Sequence, residues 1–600
     1  MIPLTRSSSR GASTAALIAF TVGAMALGAC TSTAAVSDGT TAETSASVSA
    51  HSAMSGATSV YSPPSAEEAL AENETPASLD THNWSTQEST AITFSGALAQ
   101  SSHQAAEHGS GSTSPVTITD GLTTITAAGV YRLSGSYSGQ VVVDAPSDAS
   151  VVLVLDNLSI DTTAGSAIDV RSAAEAVLVL EGSSQVADAS SYADSSAANA
   201  AIYADTSLFV TGEGTLTING RGNDALAATD DLVITSGTLT VQAVDDGVRG
   251  KDSVTISGGT LSVTAGGDGV TSDEDTDPAK GFIHISNGDV TVDAQGDALS
   301  AYTDVIITGG AFALSAGGGA QSSVADGESA KGVKSGVYTI IEGGTYSIAA
   351  AEDGLHSDGS IRLSGGDMTM TVADDGVHAE IALVVDGAHV DVASSVEGLE
   401  AEIIALRDGT ISVVSSDDAI NGSASTGTVN VEISGGAITL DAQGDALDAN
   451  GDLTISGGTV VAWGPQNDDN GTIDVDGTFT LTGGTLLAAG SAGMAMAPSA
   501  GDLGWLSANV SAAAGSTVVV RDSAGAEITT FNAKKAFANL LYAAANVPTD
   551  AEVTVVVDGV STTVTTGVAS GGMGPGGHGG PGGAPHSQAD EVGRLQRGSA

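Results

Sequence analysis

Glu352-Asp353-Gly354-Leu355-His356, Asp374-Asp375-Gly376-Val377-His378 and Glu397-Gly398-Leu399-Glu400 repeat one phrase three times. Asp353, Asp375 and Glu397 fall 22 residues apart, and so do His356, His378 and Glu400. A fixed period in the twenties that carries strand-like pieces marks a solenoid, in which each repeat stacks on the one before.

A second phrase keeps the same time on either side. Ile256-Ser257-Gly258-Gly259-Thr260-Leu261-Ser262-Val263 and Ile307-Thr308-Gly309-Gly310-Ala311-Phe312-Ala313-Leu314 each read as strand, turn, strand. The turn glycine recurs at 237, 259, 288, 310, 344, 366, 387, 409, 436, 458 and 484, mostly in steps of 21 or 22, and the longer steps leave room for inserted loops. Glycine supplies the unusual turn angles and lets stacked coils approach closely. A third short strand, such as Ala298-Leu299-Ser300-Ala301, follows each acidic phrase. The fold class expected is therefore all-β: a parallel β-helix with three short strands in about 22 residues. Helical periodicity is nearly absent, and Ala533 to Ala545 is the one stretch compatible with a short helix.

The rest of the chain divides by composition. Arg6 and Arg10, an apolar run from Ala15 to Leu27 and Leu27-Gly28-Ala29-Cys30 form a secretory signal over 1–29, too short for a stable span. Leu-Gly-Ala-Cys resembles the lipobox of bacterial lipoproteins, so Cys30 is the expected lipidation site and the outer face of the bacterial cell membrane the expected location. Residues 30–112 are rich in Ser, Thr and Ala and read as a disordered tether. The β-helix is expected over 113–507, a small β unit covering its open end over 508–566, and a disordered Gly/Pro-rich tail over 567–600.

The 600 residues carry a formal net charge of -54, 79 glycines and only 3% aromatics, against 41% hydrophobic residues. Small and β-branched residues suit a narrow, evenly layered core. The charge argues against nucleic acid and anionic lipid as direct partners, since both would be repelled. It points to divalent cations only if the acids cluster.

They cluster in columns. The first is Asp224, Asp246, Asp268, Asp297, Lys331, Asp353, Asp375, Glu397, Asp418 and Asp445. Three residues on lies the second: Ala227, Arg249, Thr271, Ser300, Lys334, His356, His378, Glu400, Asn421 and Asp448. Two further on lies a third that includes Lys251, Asp273, Tyr302, Asp358, Glu380 and Glu402. The residue just before the second column is aliphatic, so a period of two turns the second and third columns outward.

Carboxylates aligned on coils ~4.8 Å apart repel strongly. Protonation, interleaved cations or bound metal relieves this. Lys331 interleaves once. Calcium fits elsewhere, because two opposed bonds of ~2.3–2.6 Å span about one coil rise. The expected calcium ligands are Asp245, Asp246, Asp268, Asp297, Glu352, Asp353, Asp374, Asp375, Asp417, Asp418 and Asp445, with Asp273 and Asp275 from an inserted Asp-x-Asp-x-Asp loop. That loop is not an EF-hand, because Pro278 and His284 replace its required glycine and glutamate. Turn chemistry explains one acid per coil but not doublets stacked on doublets. His356 and His378 are a transition-metal pair, general bases or polar lining. Arg249, Lys251 and Lys334 hold a ligand's carboxylates or neutralise their neighbours. His356, His378 and Glu400 join these three as the expected ligand-binding residues. No catalytic triad, phosphate loop or zinc signature is present.

Ala128-Gly129-Val130-Tyr131-Arg132-Leu133-Ser134-Gly135, Val152-Leu153-Val154-Leu155-Asp156-Asn157-Leu158-Ser159-Ile160 and Asp245-Asp246-Gly247-Val248-Arg249-Gly250-Lys251-Asp252-Ser253-Val254 carry a further indication. With the Gly-Gly strands they make residues 113 to 566 resemble the secreted carbohydrate-binding-domain-containing proteins, whose fold is a calcium-binding, pectate-lyase-like right-handed β-helix. The resemblance implies polysaccharide binding with calcium in the acidic turns, by a monomer. Few aromatics are available to stack on sugar rings, with Trp463 and Trp505 the main ones, which favours acidic glycans over flat neutral ones. A pectate-lyase-like activity using Arg249, Lys251 or Lys334 as base and a purely structural adhesin are the alternatives.

Overall fold

The computed structural model describes residues 62–79, 88–102 and 114–571, apart from 194, 195, 326, 426 and 469. The signal segment, Cys30 and the tail from 572 onward lie outside the described residues. Among the described residues no helix is long and apolar enough to cross a membrane.

The repeat folds as a parallel β-helix whose coils each contribute three strands to three stacks. One coil shows the plan. Thr260–Ala265 lies in the first stack, Val270–Ser272 in the second and Phe282–Ile285 in the third, before Asp289–Ala294 re-enters the first. Each pairs in parallel, in register, with its counterpart one coil on: Thr260 with Asp289, Val270 with Leu299, Ile283 with Val305. The acidic phrase forms the corner between first and second stacks, and the Gly-Gly turn the corner between third and first. Gly259, Gly288, Gly310 and Gly344 sit at φ 88°, 126°, 115° and 99°, where a Cβ would be strained.

Side chains alternate as the period requires. Val290, Val292 and Ala294 point into a dry interior while Asp289, Thr291 and Asp293 face out. The interior is one continuous aliphatic column. Where it must be wider, Phe312 and Tyr346 stack with ring centroids 4.7 Å apart.

The solenoid begins earlier than the sequence suggests. Ser89–Gly96, inside the stretch expected to be a tether, pairs in parallel with Gly129–Tyr137 and folds back on Leu98–Ser101 as a hairpin. Residues 62–79 are also ordered. Helix α1, Ala66–Glu72, opens with a capping box between Ser65 and Glu68, and buries Ala66 and Ala69 on Ile306, Val337, Tyr338 and Ile340 of the third stack. The chain continues across that outer face. Asn73 donates to Asp304 (2.9 Å), the Ala77 amide donates to Asp231 (2.7 Å), and Ala77 and Leu79 pack beside Val177, Phe209 and Val233. This strap corrects the disordered reading of 30–112 at those residues. Beneath the strap the third stack is apolar outside as well as inside, at Val177, Phe209, Val233, Ile306 and Ile340, whereas His284, Arg362 and Glu432 face out in other coils.

The C-terminal unit also differs in detail. Phe537–Ala543, within the stretch compatible with a helix, is a strand, antiparallel both to Thr485–Gly490 of the last coil and to Trp505–Ala512. The cap thus starts at Trp505, and the regular coils end at Gly490 rather than 507. A four-stranded antiparallel sheet of Thr517–Arg521, Glu527–Asn532, Glu552–Val557 and Val560–Thr565 completes it.

Candidate functional site

The second column is real, position by position. Arg249 pairs with Thr271, Thr271 with Ser300, Ser300 with Lys334, Lys334 with His356, His356 with His378, His378 with Glu400, Glu400 with Asn421 and Asn421 with Asp448. The preceding Val270, Leu299, Val333, Leu355, Val377 and Leu399 are fully buried, as the alternation demands.

In the first column the acids make a contact that charge counting does not anticipate. Each aspartate of the column accepts the backbone N–H of the residue at its own register one coil on, while Glu397 accepts instead from the Asn421 side chain. Asp246 accepts from Asp268 at 2.8 Å, Asp268 from Asp297 at 2.8 Å, and Asp297 from Lys331 at 2.7 Å. Asp353 accepts from Asp375 at 3.2 Å, Asp375 from Glu397 at 3.3 Å, and Asp418 from Asp445 at 2.6 Å. One oxygen of each aspartate thus ties two coils together at the corner. The sequence signal was available: the position is nearly always Asp before a small residue, and the one-carbon stem holds the carboxylate close to the next main chain.

These bonds do not discharge the column. Burial first, then Asp297 and Asp246, push the Asp268 carboxyl up to about 7. Burial and Asp246 raise Asp224 to about 7. At the far end, burial and Asp418 lift Asp445 to about 8, and burial with Asp418 and Asp445 lifts Asp448 to about 9. These acids therefore keep their protons to higher pH than free carboxylates do.

In the middle it has cations of its own. Lys331 reaches Glu352 at 3.0 Å and Asp353 at 3.6 Å, with a side chain only 14% exposed. His356 sits between Asp353 (Nδ1, 2.8 Å) and Asp358 (Nε2, 3.1 Å). Although buried, Asp353 is held below the usual carboxylate range by the hydrogen bond from His356, by the charge of that ring and by Lys331. His378 lies 3.4 Å from Asp375 and 3.8 Å from Glu380. Burial opposes its protonation, but Asp375 and Glu400 prevail and raise it to about 10.

The expected site residues sort by place. Asp245, Asp246, Asp268, Asp297, Ser300 and Lys334 line a groove of about 530 Å³, together with Ser323, Val324, Ala325, Gly327, Glu328 and Ser329 of an inserted loop. Gly267 and Gly296 keep its floor open: a Cβ on Gly267 would lie 2.6 Å from an Asp246 oxygen and 2.7 Å from an Asp245 oxygen. Gly444 plays the same part beside Asp417 and Asp418. Glu352, Asp374 and Asp375 sit coils away, near the histidines. Asp275 is exposed in its loop. Asp273 accepts from Arg249 at 2.7 Å, and Glu274 pairs with Lys251 at 2.9 Å, so the insertion's acids face the basic residues. Lys334 lies 3.4 Å from Asp297.

Neither tryptophan offers a platform for sugar. Trp463 is 5% exposed in the cap's core, edge-on to Phe531, and Trp505 packs against the solenoid interior. Tyr302 of the third column is instead 40% exposed and had been given no role by its residue type alone.

Comparison with known proteins gives partial matches. Residues 119–376 match the family model described as carbohydrate-binding domain-containing protein, a stretch that contains Ala128–Gly135 and Val152–Ile160. A carbohydrate-binding domain-containing protein of Acetivibrio thermocellus is 35% identical over 126 residues, 20% of this chain and 44% of that protein. The chain thus spans under half the length of this relative. A solved structure, the polysaccharide lyase-like protein from C. thermocellum as a gadolinium derivative, aligns at 28% identity over 44% of this chain and 97% of that one, with a TM-score of 0.36.

Proposed function

We propose that the chain is a surface protein, lipid-anchored through Cys30, that binds acidic, uronate-containing polysaccharide through calcium. The observation that carries this reading is the groove of about 530 Å³ in which Asp245, Asp246, Asp268 and Asp297 face Ser300 and Lys334. Its volume is that of a ligand cleft. Its donors are oxygens, as calcium prefers, and several ligands at ~2.3–2.6 Å can be drawn from adjacent coils. Asp246, Asp268 and Asp297 would hold the ion with the oxygens not committed to backbone amides, and Gly267 and Gly296 leave room for it. Bound calcium would present positive charge to a uronate carboxylate, and the Lys334 ammonium and Ser300 hydroxyl would add direct contacts. Exposed Tyr302 offers an aromatic face two residues beyond Ser300.

Binding is favoured over cleavage. A lyase needs a base that can lose its proton, whereas Arg249, Lys251 and Lys334 are paired with Asp273, Glu274 and Asp297, and Glu274 raises the Lys251 pKa further. The amide bonds of the acid column favour a second reading, a structural adhesin whose carboxylates only join coils.

The test mixes the full chain with polygalacturonate. Retention in calcium, loss in EDTA, and a drop in affinity of roughly tenfold or more in the doubly substituted Asp268→Asn, Asp297→Asn chain is the expected outcome, without ultraviolet absorbance from an unsaturated product. Retention indifferent to EDTA would sink the calcium bridge. No retention at all would leave the adhesin.

A further inference from the structure

We infer that His356 and His378, with Asp353, form a binding site for a borderline divalent metal ion, zinc foremost, separate from the all-oxygen groove. Along the second column the outward residue is an imidazole in only two coils, and those coils are consecutive. Their rings lie with centroids 5.0 Å apart and planes at 75°, edge toward face. One ligand atom each from Asp353, His356 and His378 lie within 4.8 Å of one another, and Asp375, His378 and Glu400 form an adjoining group on the same scale.

Two nitrogens and one carboxylate oxygen are a donor set for zinc rather than calcium, which seeks six to eight oxygens. A tetrahedral ion with bonds of ~2.0–2.2 Å draws its ligand atoms to roughly 3.4 Å apart, a contraction within reach of side-chain rotation. The surroundings are those of a metal-ligating histidine, whose second ring nitrogen is ordinarily held by a carboxylate or carbonyl. With Asp353 on the ion, His356 would ligate through Nδ1 while Asp358 holds its Nε2 at 3.1 Å. His378 likewise lies between Asp375 and Glu380, at longer distances that leave it freer to turn. One coil past Glu400 stands Asn421, 4% exposed, whose amide donates to Glu397 and Glu400 while its Oδ1 has no hydrogen-bond partner.

Lys331 separates this site from the groove. Its ammonium lies against Glu352 and Asp353 and closes the column on that side with a fixed charge. The two sites can therefore be titrated apart.

The test is calorimetric titration of zinc, with calcium in excess, into the full chain near neutral pH, where the ion must displace the proton that Asp375 and Glu400 hold on His378. About one zinc per chain should bind, and binding should weaken by at least ~10-fold in His356→Gln and in His378→Gln. Asp268→Asn, in the groove, should leave it unchanged. Cobalt(II) should give the visible absorption of a tetrahedral nitrogen-ligated ion in the parent chain, a readout independent of whether each variant folds. No zinc uptake, uptake abolished by calcium, or uptake undiminished in the double His356→Gln, His378→Gln chain would each overturn the assignment and leave the histidines as ion-pair partners of the acid column.

Discussion

Asp268 accepts the Asp297 amide through one oxygen while burial and two neighbouring acids work against its charge. Asparagine can keep the first interaction and remove the second, because its carbonyl oxygen occupies the same place. Asp268→Asn should therefore stabilise the metal-free chain, by on the order of 1–3 kcal/mol, since each pKa unit of strain is about 1.4 kcal/mol. The same change should cut the calcium-induced rise in melting temperature. Thermal melts in EDTA and in calcium read both. Destabilisation in EDTA would mean that the charge itself is needed, and so that the column is not under repulsion. Gly267→Ala probes the same groove by volume: its methyl would meet Asp245 and Asp246 oxygens, so calcium affinity should fall with little effect on the coil's aliphatic interior. Calcium titration of that variant is the check. The amide bonds explain why the corner stays ordered even where carboxylates crowd. Reasoning from Coulomb repulsion alone weighed protons, lysines and metal but passed over the main chain.

The strap is the element that stands out at the next scale. Its α1 helix is too short to be stable alone, so its order depends on docking. Ala69 is fully buried against the third stack, and aspartate there would place a charge among Ile306, Tyr338 and Ile340. Ala69→Asp should release the strap and leave the coils intact, seen as increased binding of an apolar dye with unchanged β circular dichroism. Unaltered dye binding would show that the outer face needs no cover. Phe209→Ala, beneath the strap's other end, should cost about 3 kcal/mol in the stability of that face. The coil period, its three strands and the register of the second column were legible because stacking repeats the same demand every 22 residues. The strap was not, since only Ala66 and Ala69 form its buried helical face and a Ser/Thr/Ala-rich neighbourhood hides them. Two local signs pointed to it. Ser65 and Glu68 spell a capping box, and Val305-Ile306-Ile307 has no polar outward residue. Phe537–Ala543 misled in the opposite direction: its alanines and leucines favour a helix, but the open edges of Thr485–Gly490 and Trp505–Ala512 recruit it as a strand.

For the molecule as a whole, raised carboxyl pKa values along one edge make stability depend on pH in a direction opposite to ordinary acid denaturation. Unfolded aspartates titrate near ~3.9. In the folded chain Asp268 and Asp418 titrate at about 7, Asp445 at about 8 and Asp448 at about 9. Between those limits the folded state binds more protons than the unfolded one. The derivative of unfolding free energy with pH is then negative, so stability is present below the unfolded pKa and drains away as pH rises through the folded values. Asp353 and Glu274 act in the other sense. Despite burial, the hydrogen bond from His356 holds Asp353 down, and Thr276 and Lys251 hold Glu274 down to about 2. Their contribution is lost only in stronger acid, as pH falls below the unfolded range. In EDTA the melting temperature should therefore fall as pH is raised from about 5 to about 8, by several degrees if even a few of these acids act together. Calcium in excess should flatten that slope, because an ion that occupies the column in place of protons removes the advantage of the acid form, and its uptake should release protons into weakly buffered solution. A melting temperature that rises with pH in EDTA would mean that the amide bonds alone satisfy the carboxylates, and calcium would then have little to gain by binding there.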